Sequence, residues 1–246
     1  YNDPNYKTTL KKNFINLNNN LPKADFKIVN WESPITYNGI RASEKKNTIC
    51  TNPVNLDSLK SLGVNIANIG NNHIGDFGKE GYLLTKKYLD TIEVKTFGAS
   101  INQYENTPLK LEKNGKKIAL LSYTGVDSSP LDFEVSQVYL EPINLSKIES
   151  DIAELKKDYD VIIVSLHWGI EFMRLPSTSQ RIIARRLIEA GANIIYGHHS
   201  HVVQGYECFK NGIIFYGLGN FIFGGLMGRE SNSWIKASRK ILIPTI

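Results

Sequence analysis

The chain is poor in several residues that would point to other classes of protein. It has two cysteines and two methionines in 246 residues. Cys50 and Cys208 form no CxxC pair or other metal-ligand spacing, which excludes a thiolate zinc site and a disulfide-dense scaffold. They are read either as one disulfide of an exported protein or as two unpaired core thiols. No apolar run approaches the ~18 residues of a membrane span, and no signal-peptide pattern is present. The first residue is Tyr1 rather than Met. The chain is therefore expected to be a processed or trimmed product, with any anchor or export signal upstream. No repeat or low-complexity linker interrupts it, so residues 1–246 are read as a single domain.

Charge of one sign is also in short supply. The net charge is +5, and the excess is scattered in pairs such as Lys45-Lys46, Lys86-Lys87 and Lys116-Lys117. Arg181 and Arg185 share a helix face with Arg186 beside them, but no aromatics are interleaved. That pattern fits a solvated face, and nucleic acid is not expected as a partner. An acidic ligand stays compatible. With 41% hydrophobic and 22% charged residues, the composition is that of an ordinary globular domain with a real core.

Strand and helix patterns alternate. Apolar runs at 26–31, 64–69, 94–97, 161–166 and 193–196 read as strands, the 161–166 run as a buried one from its β-branched residues. Helical patterns fall at 55–62, 79–89, 146–157 and 177–190, with Gly63 and Gly191 as stops. Two hairpins are expected, 109–112 with 117–123 around Asn114-Gly115, and 202–209 with 213–216 around Asn211-Gly212. One further strand is expected at 241–243. The fold class is α/β, with parallel crossovers and antiparallel hairpins in one domain.

Histidine is rare but clustered. Three of the five histidines fall in Gly197-His198-His199-Ser200-His201, directly after the apolar run 192–196. In an extended segment residues two apart share a side, so His199 and His201 are expected to converge on one or two metal ions. In open α/β sheets ligands bind beyond the carboxyl ends of the strands. Here the strands run into Asn30-Trp31-Glu32, Asn71-Asn72-His73, His167, the histidine cluster and Gly217-Leu218-Gly219-Asn220. Each has an ordinary structural reading alone: Glu32 as a turn residue, Asn71 and Asn72 as loop amides, His167 as a core histidine. Together they form a donor set of carboxylate, amide and imidazole that suits two divalent cations. Such a pair, about 3.5–4 Å apart, can clamp an oxyanion and activate water for attack on phosphorus.

These motifs resemble the CapA/PgsA capsule (poly-γ-glutamate) synthesis family, similar in turn to calcineurin-like metallophosphoesterases. The resemblance runs from Ala24 to Phe223 through Asn30-Trp31-Glu32, Asn71-Asn72-His73 with Asp76 and Gly78, Ser165-Leu166-His167-Trp168-Gly169 with Glu171, Gly197 to His201, and Leu218-Gly219-Asn220-Phe221. It implies a four-layer α/β/β/α sandwich of two mixed sheets. It implies Glu32 as a bridging carboxylate, Asn72 as an amide ligand, His167 and His199 on one metal and His201 on the other. His73 would be the outer-sphere acid, oriented by Asp76. Asn71, Glu171, His198 and Asn220 fall to the substrate pocket, and His198 and His199 could exchange roles. The cofactors implied are two divalent metal ions, Mn, Zn or Fe. The family usually opens with a strand ending in Gly-Asp, whose aspartate is a metal ligand. Nothing before Ala24 supplies it, so the first strand is expected to have been lost by truncation.

Two functions compete. One is a dinuclear phosphoesterase-like hydrolase acting on a phosphoester or an anionic polymer. The other is a non-catalytic polymer-binding or scaffold component working with membrane-bound polyglutamate synthesis proteins. A metal-dependent amide hydrolase acting on the γ-linked polymer is a third reading. The resemblance implies a cell-surface location, tethered through a segment outside this chain.

Overall fold

The computed structural model describes residues 15–37, 39–42, 48–102, 104–105, 107–125, 133–222 and 242–244. Two sheets organise them. β1 (Ile28–Asn30), β2 (Ile66–Asn68) and β3 (Lys95–Phe97) form the smaller, in that order. β4 (Leu109–Lys113), β5 (Lys116–Thr124), β6 (Val161–His167), β7 (Ile194–His198), β8 (Tyr206–Phe209) and β9 (Gly212–Phe215) form the larger, in the order β4-β5-β6-β7-β9-β8.

The larger sheet is mixed. β5, β6, β7 and β9 run parallel, while β4 and β8 pair antiparallel at its two edges. The smaller sheet departs from the expected mixed pairing, because its described strands are all parallel. The connections account for this. α1 (Leu56–Ser61) carries the chain from β1 to β2 and α2 (Gly78–Thr91) from β2 to β3, and a helical crossover returns the next strand in the same direction. α3 (Leu145–Leu155) and α4 (Thr178–Ala190) do the same between β5, β6 and β7. Caps fix the helix starts. Asn144 accepts from Lys147 N–H ahead of α3, and Ser177 and Gln180 form a reciprocal capping box ahead of α4.

Three apolar clusters give four layers. Leu59, Ala67, Tyr82 and Leu89 join α1 and α2 to the outer face of the small sheet. Ile66, Phe97, Leu111 and Leu120 fill the space between the sheets. Ile148, Ile152, Ile162, Val164, Ala184, Leu187 and Ile195 join α3 and α4 to the outer face of the large sheet. Strand alternation sorts these residues: in β5 Leu120 faces the small sheet while Leu121 and Tyr123 face the helices.

Between the sheets the side chains turn polar towards the carboxyl ends of the strands. Two residues beyond Ile66 lies Asn68, two beyond Leu120 lies Ser122, and two beyond Ile163 lies Ser165. The three are linked: Asn68 Nδ2 donates to Ser165 Oγ at 2.6 Å, and Ser122 Oγ donates to Asn68 Oδ1 at 3.0 Å. Gly70 N–H also donates to Asn68 Oδ1, at 2.8 Å. This buried network is the floor of the polar region above it.

Several local expectations change. The first hairpin turns on Asn114 and Gly115, both at positive φ, as a type I′ turn requires. The second turns on Lys210-Asn211, one residue earlier than expected, and Gly212 pairs with Phe209 inside the ladder. Gly212 is small for packing reasons, since a Cβ there would lie 2.9 Å from the backbone Asn193 O as well as 2.6 Å from Ile188 Cδ1. The strand expected over 202–209 is confined to Tyr206–Phe209, because 199–202 bends around the polar site. Residues 242–244 are in no strand, although Leu242 N–H donates to Leu218 O at 2.9 Å; Ile241 lies outside the described residues. Cys50 and Cys208 are both exposed and unbonded, which corrects both the core-thiol and the disulfide readings. Arg185 and Arg186 pair with Glu207 and Glu149.

Candidate metal centre

The site lies where the two sheets open at their carboxyl ends. Glu32 follows β1 by two residues. Asn71, Asn72, His73 and Asp76 lie in the turns between β2 and α2, and His167 is the last residue of β6. His198 closes β7, and His199 and His201 follow it.

Glu32, His167 and His199 each turn a ligand atom to one place, all within 4.8 Å of one another. Glu32 Oε1 lies 3.7 Å from His167 Nε2 and 3.8 Å from His201 Nε2. Ligand atoms on one tetrahedral cation with bonds of ~2.1 Å would be about 3.4 Å apart, so small side-chain movements suffice to close on an ion. His167 Nε2 is also 2.9 Å from Asn72 Oδ1. The imidazole rings of His167 and His199 have centroids 5.1 Å apart, and those of His199 and His201 are 6.1 Å apart.

The route to this convergence differs from the expected strand alternation. β7 ends at His198, and His199 and His201 take φ of +86° and +56°. Pairing with β9 ends at Tyr196 and pairing with β6 at His198, so beyond His198 no ladder holds the chain extended. The left-handed residues swing the two imidazoles back over the sheet edge, and surrounding contacts hold them against the cost of that backbone. Ser200 Oγ donates to Val202 O, and Ser200 O accepts from Phe172 N–H at 2.7 Å.

The remaining candidates divide by what they touch. His73 Nδ1 pairs with Asp76 Oδ2 at 2.7 Å, and Asp76 is fully buried and also accepts from Ile49 N–H. Asn71 holds the loop from inside, accepting from His73 N–H and donating to Trp31 O. Asn220 Oδ1 lies 3.0 Å from His201 Nδ1, and its amide donates back to His201 O. Glu171 is exposed at the mouth, where its charge acts on Glu32. His198 stands in register with His167 on the adjacent strand, edge-on to Tyr196.

Burial drives the cluster towards its uncharged forms. Desolvation raises the Glu32 carboxyl above its ordinary value, against the opposing pull of His201 and His73 and the hydrogen bond from Asn30. Desolvation, followed by repulsion from His199 and His198, holds His167 well below the ordinary imidazole value. Desolvation also lowers His198, to about 4. Neutral imidazole is the ligating form. Glu32 Oε1 is buried and makes no hydrogen bond. A buried carboxylate oxygen facing imidazoles is the feature a cation would satisfy, so the donor set fits divalent metal.

Three contributors carried no assigned role in the sequence reading. Asn30 Nδ2 donates to Glu32 Oε2 at 2.8 Å. Phe172 packs its ring on His201 at a centroid distance of 5.9 Å. Gln204, buried, ties the histidine loop to Met173 O at 2.8 Å. Only Asn30 had a usable signal, as the polar end of an apolar strand.

Similarity to other proteins agrees with this architecture. The chain is 32% identical to the PGA biosynthesis protein CapA of Bacillus subtilis over 81% of its own length and 53% of that protein's. It is 30% identical to the capsule biosynthesis protein CapA of Bacillus anthracis over 82% of its length and 51% of the relative's. It thus spans about half the length of these relatives. Among solved structures, a hypothetical protein from Thermus thermophilus superposes with a TM-score of 0.52 at 16% identity, covering 89% of this chain and 74% of that one, and shares the fold. Residues 2–225 match the model of the bacterial capsule synthesis protein PGA_cap family, and the chain belongs to that family.

Proposed function

We propose that this chain carries a metal-dependent, phosphoesterase-like hydrolase site that serves the synthesis of a poly-γ-glutamate capsule. The observation that carries the reading is the convergence of Glu32, His167 and His199 within 4.8 Å at the strand ends of both sheets. The relatives' names supply the biological setting, since two are CapA proteins of PGA or capsule biosynthesis. Others, from Mycobacterium tuberculosis, are probable polyglutamine synthesis accessory proteins. The setting favours a cell-surface location beside membrane-bound synthesis proteins.

Glu32, Asn72, His167 and His199 would hold one divalent ion, and Glu32 with His201 would face a second. The chemistry supplied at such a site would be polarisation of a phosphoryl oxygen and a lowered pKa of water. The chain's own groups do the rest. Glu32 presents Oε1 between His167 and His201, which suits a carboxylate shared by two ions. Asp76 holds His73 by Nδ1, and the ring would pass a proton to the oxygen of the leaving group through Nε2. Burial of His167 keeps its imidazole neutral and available as a ligand.

Elemental mass spectrometry on the purified protein and on His199→Ala, with p-nitrophenyl phosphate and bis(p-nitrophenyl) phosphate turnover, tests this. Near two metals per chain and metal-dependent turnover, both lost in the variant, are expected. Metal without turnover of these or any amide-linked polyglutamate substrate would replace the hydrolase with a metal-stabilised binding component. No metal after supplementation would remove the catalytic reading.

A further inference from the structure

We infer that Asn30 and Asn220 are positioning residues that select which atom of a metal ligand faces the cation. The inference rests on the metal site proposed above and adds two residues that touch no ion.

Glu32 has two carboxylate oxygens. Asn30 Nδ2 engages Oε2 at 2.8 Å, and Oε1 is left facing His167 Nε2 and His201 Nε2. The amide cannot be reversed, since its oxygen would then meet a carboxylate. In this orientation Asn30 Oδ1 is buried without a hydrogen-bond partner. An orphaned buried acceptor is a cost to the fold, and the contact to Glu32 is the feature of this residue that offsets it.

His201 has two ring nitrogens. Asn220 Oδ1 lies 3.0 Å from Nδ1, while its Nδ2 donates to His201 O at 3.3 Å. The backbone donation fixes which end of the amide is oxygen. That oxygen requires a proton on Nδ1, which leaves Nε2 as the unprotonated atom turned towards Glu32.

The test is Mn2+ and Co2+ affinity, by chelator competition, with the visible spectrum of the Co2+ form, in wild type, Asn30→Ala, Asn220→Ala and Asn220→Asp. Thermal unfolding of each metal-free protein is measured alongside. Each alanine variant is expected to bind about 10–100-fold more weakly, with an altered Co2+ spectrum and an unchanged metal-free Tm. Asn220→Asp keeps an acceptor for Nδ1–H and is expected to restore affinity to within about threefold of wild type, inside the scatter of such effects. Unchanged affinity in both alanine variants overturns the inference and leaves the hydrolase reading standing. So does a loss that tracks a lower metal-free Tm. Weakened binding in a protein that hydrolyses no ester overturns the hydrolase and leaves the positioning role. A wild type that takes up no metal overturns both.

Discussion

Gly197→Ala tests how the histidine loop is fixed to the sheet. Gly197 lies in β7, paired with β6 and one residue past the β9 ladder, and its φ is not positive. Its size therefore answers to space, not to backbone conformation. A Cβ at this position would sit inside contact distance of Tyr216 O and 2.5 Å from Trp168 Nε1. Those two atoms are hydrogen-bonded to each other at 3.1 Å, across the face of the glycine. The Trp168 and Tyr216 rings stack at 6.5 Å with an interplanar angle of 12°, and both residues are buried. The methyl group cannot be admitted without parting that bond or displacing β9. Overpacking of a filled core costs about 1–3 kcal/mol, and a lost buried hydrogen bond adds about 0.5–1.5 kcal/mol. The expected destabilisation is about 2–4 kcal/mol, or roughly 5–15 °C in Tm for a chain of this size. Urea titration followed by tryptophan fluorescence measures it. Gly197→Ser should be at least as severe, because a hydroxyl does not shorten the Cβ contact. A loss below about 1 kcal/mol, less than overpacking alone costs, would refute the argument that the indole–carbonyl bond defines the glycine.

Two further outcomes follow from buried polar groups. Asn68→Leu removes the amide that joins Ser122, Ser165 and Gly70 N–H between the sheets and should cost about 1–3 kcal/mol in urea midpoint analysis; a neutral result would mean that these groups re-pair without it. The metal-free protein should lose stability as pH falls from about 6.5 to about 4, because His167 and His198 are held below the ordinary value and the unfolded chain binds protons that the native state refuses. Glu32 acts with the opposite sign, since its raised pKa lets the native state hold a proton the unfolded chain has released above about 4.5, and it offsets part of the loss. Unfolding at pH 7 and pH 5 with a chelator present checks the sum, and equal midpoints would show the imidazoles to be more hydrated than their burial implies.

Much of this architecture is legible in the sequence because the same rule governs both. The helices Leu56–Ser61 and Thr178–Ala190 end beside the expected glycine stops, and Glu32, His167 and the histidine cluster fall at the polar ends of apolar runs. Asn114-Gly115 marks its hairpin because the turn itself needs those residues. Asn211-Gly212 misleads by one position because Gly212 is small for Ile188, and packing partners distant in sequence leave no local pattern. The histidine loop misleads for a related reason. Extended alternation depends on a neighbour to pair with, and pairing with both β6 and β9 is over by His198, before His199 and His201. The roles of Asn30 and Asn220 are likewise invisible from spacing, because an amide's value there lies in which end it turns to a ligand.

Asn68, Ser122 and Ser165 show how the fold and the site depend on each other. Each occupies a position on the inward face of its strand where an apolar side chain would pack better, yet together they satisfy one another and Gly70 N–H. They mark the level at which the inter-sheet space changes from Ile66, Phe97 and Leu120 below to Glu32, Asn72 and the imidazoles above. A wholly apolar interface would draw the sheets together along their full length and leave no gap for ligands. Charged residues at that level would be buried without partners and destabilise the sandwich. A hydrogen-bonded neutral layer avoids both. It holds the sheets apart at the carboxyl ends and keeps the site above it desolvated enough to favour neutral imidazole. That leaves Glu32 Oε1 buried without a hydrogen bond, at the place where a cation would be met.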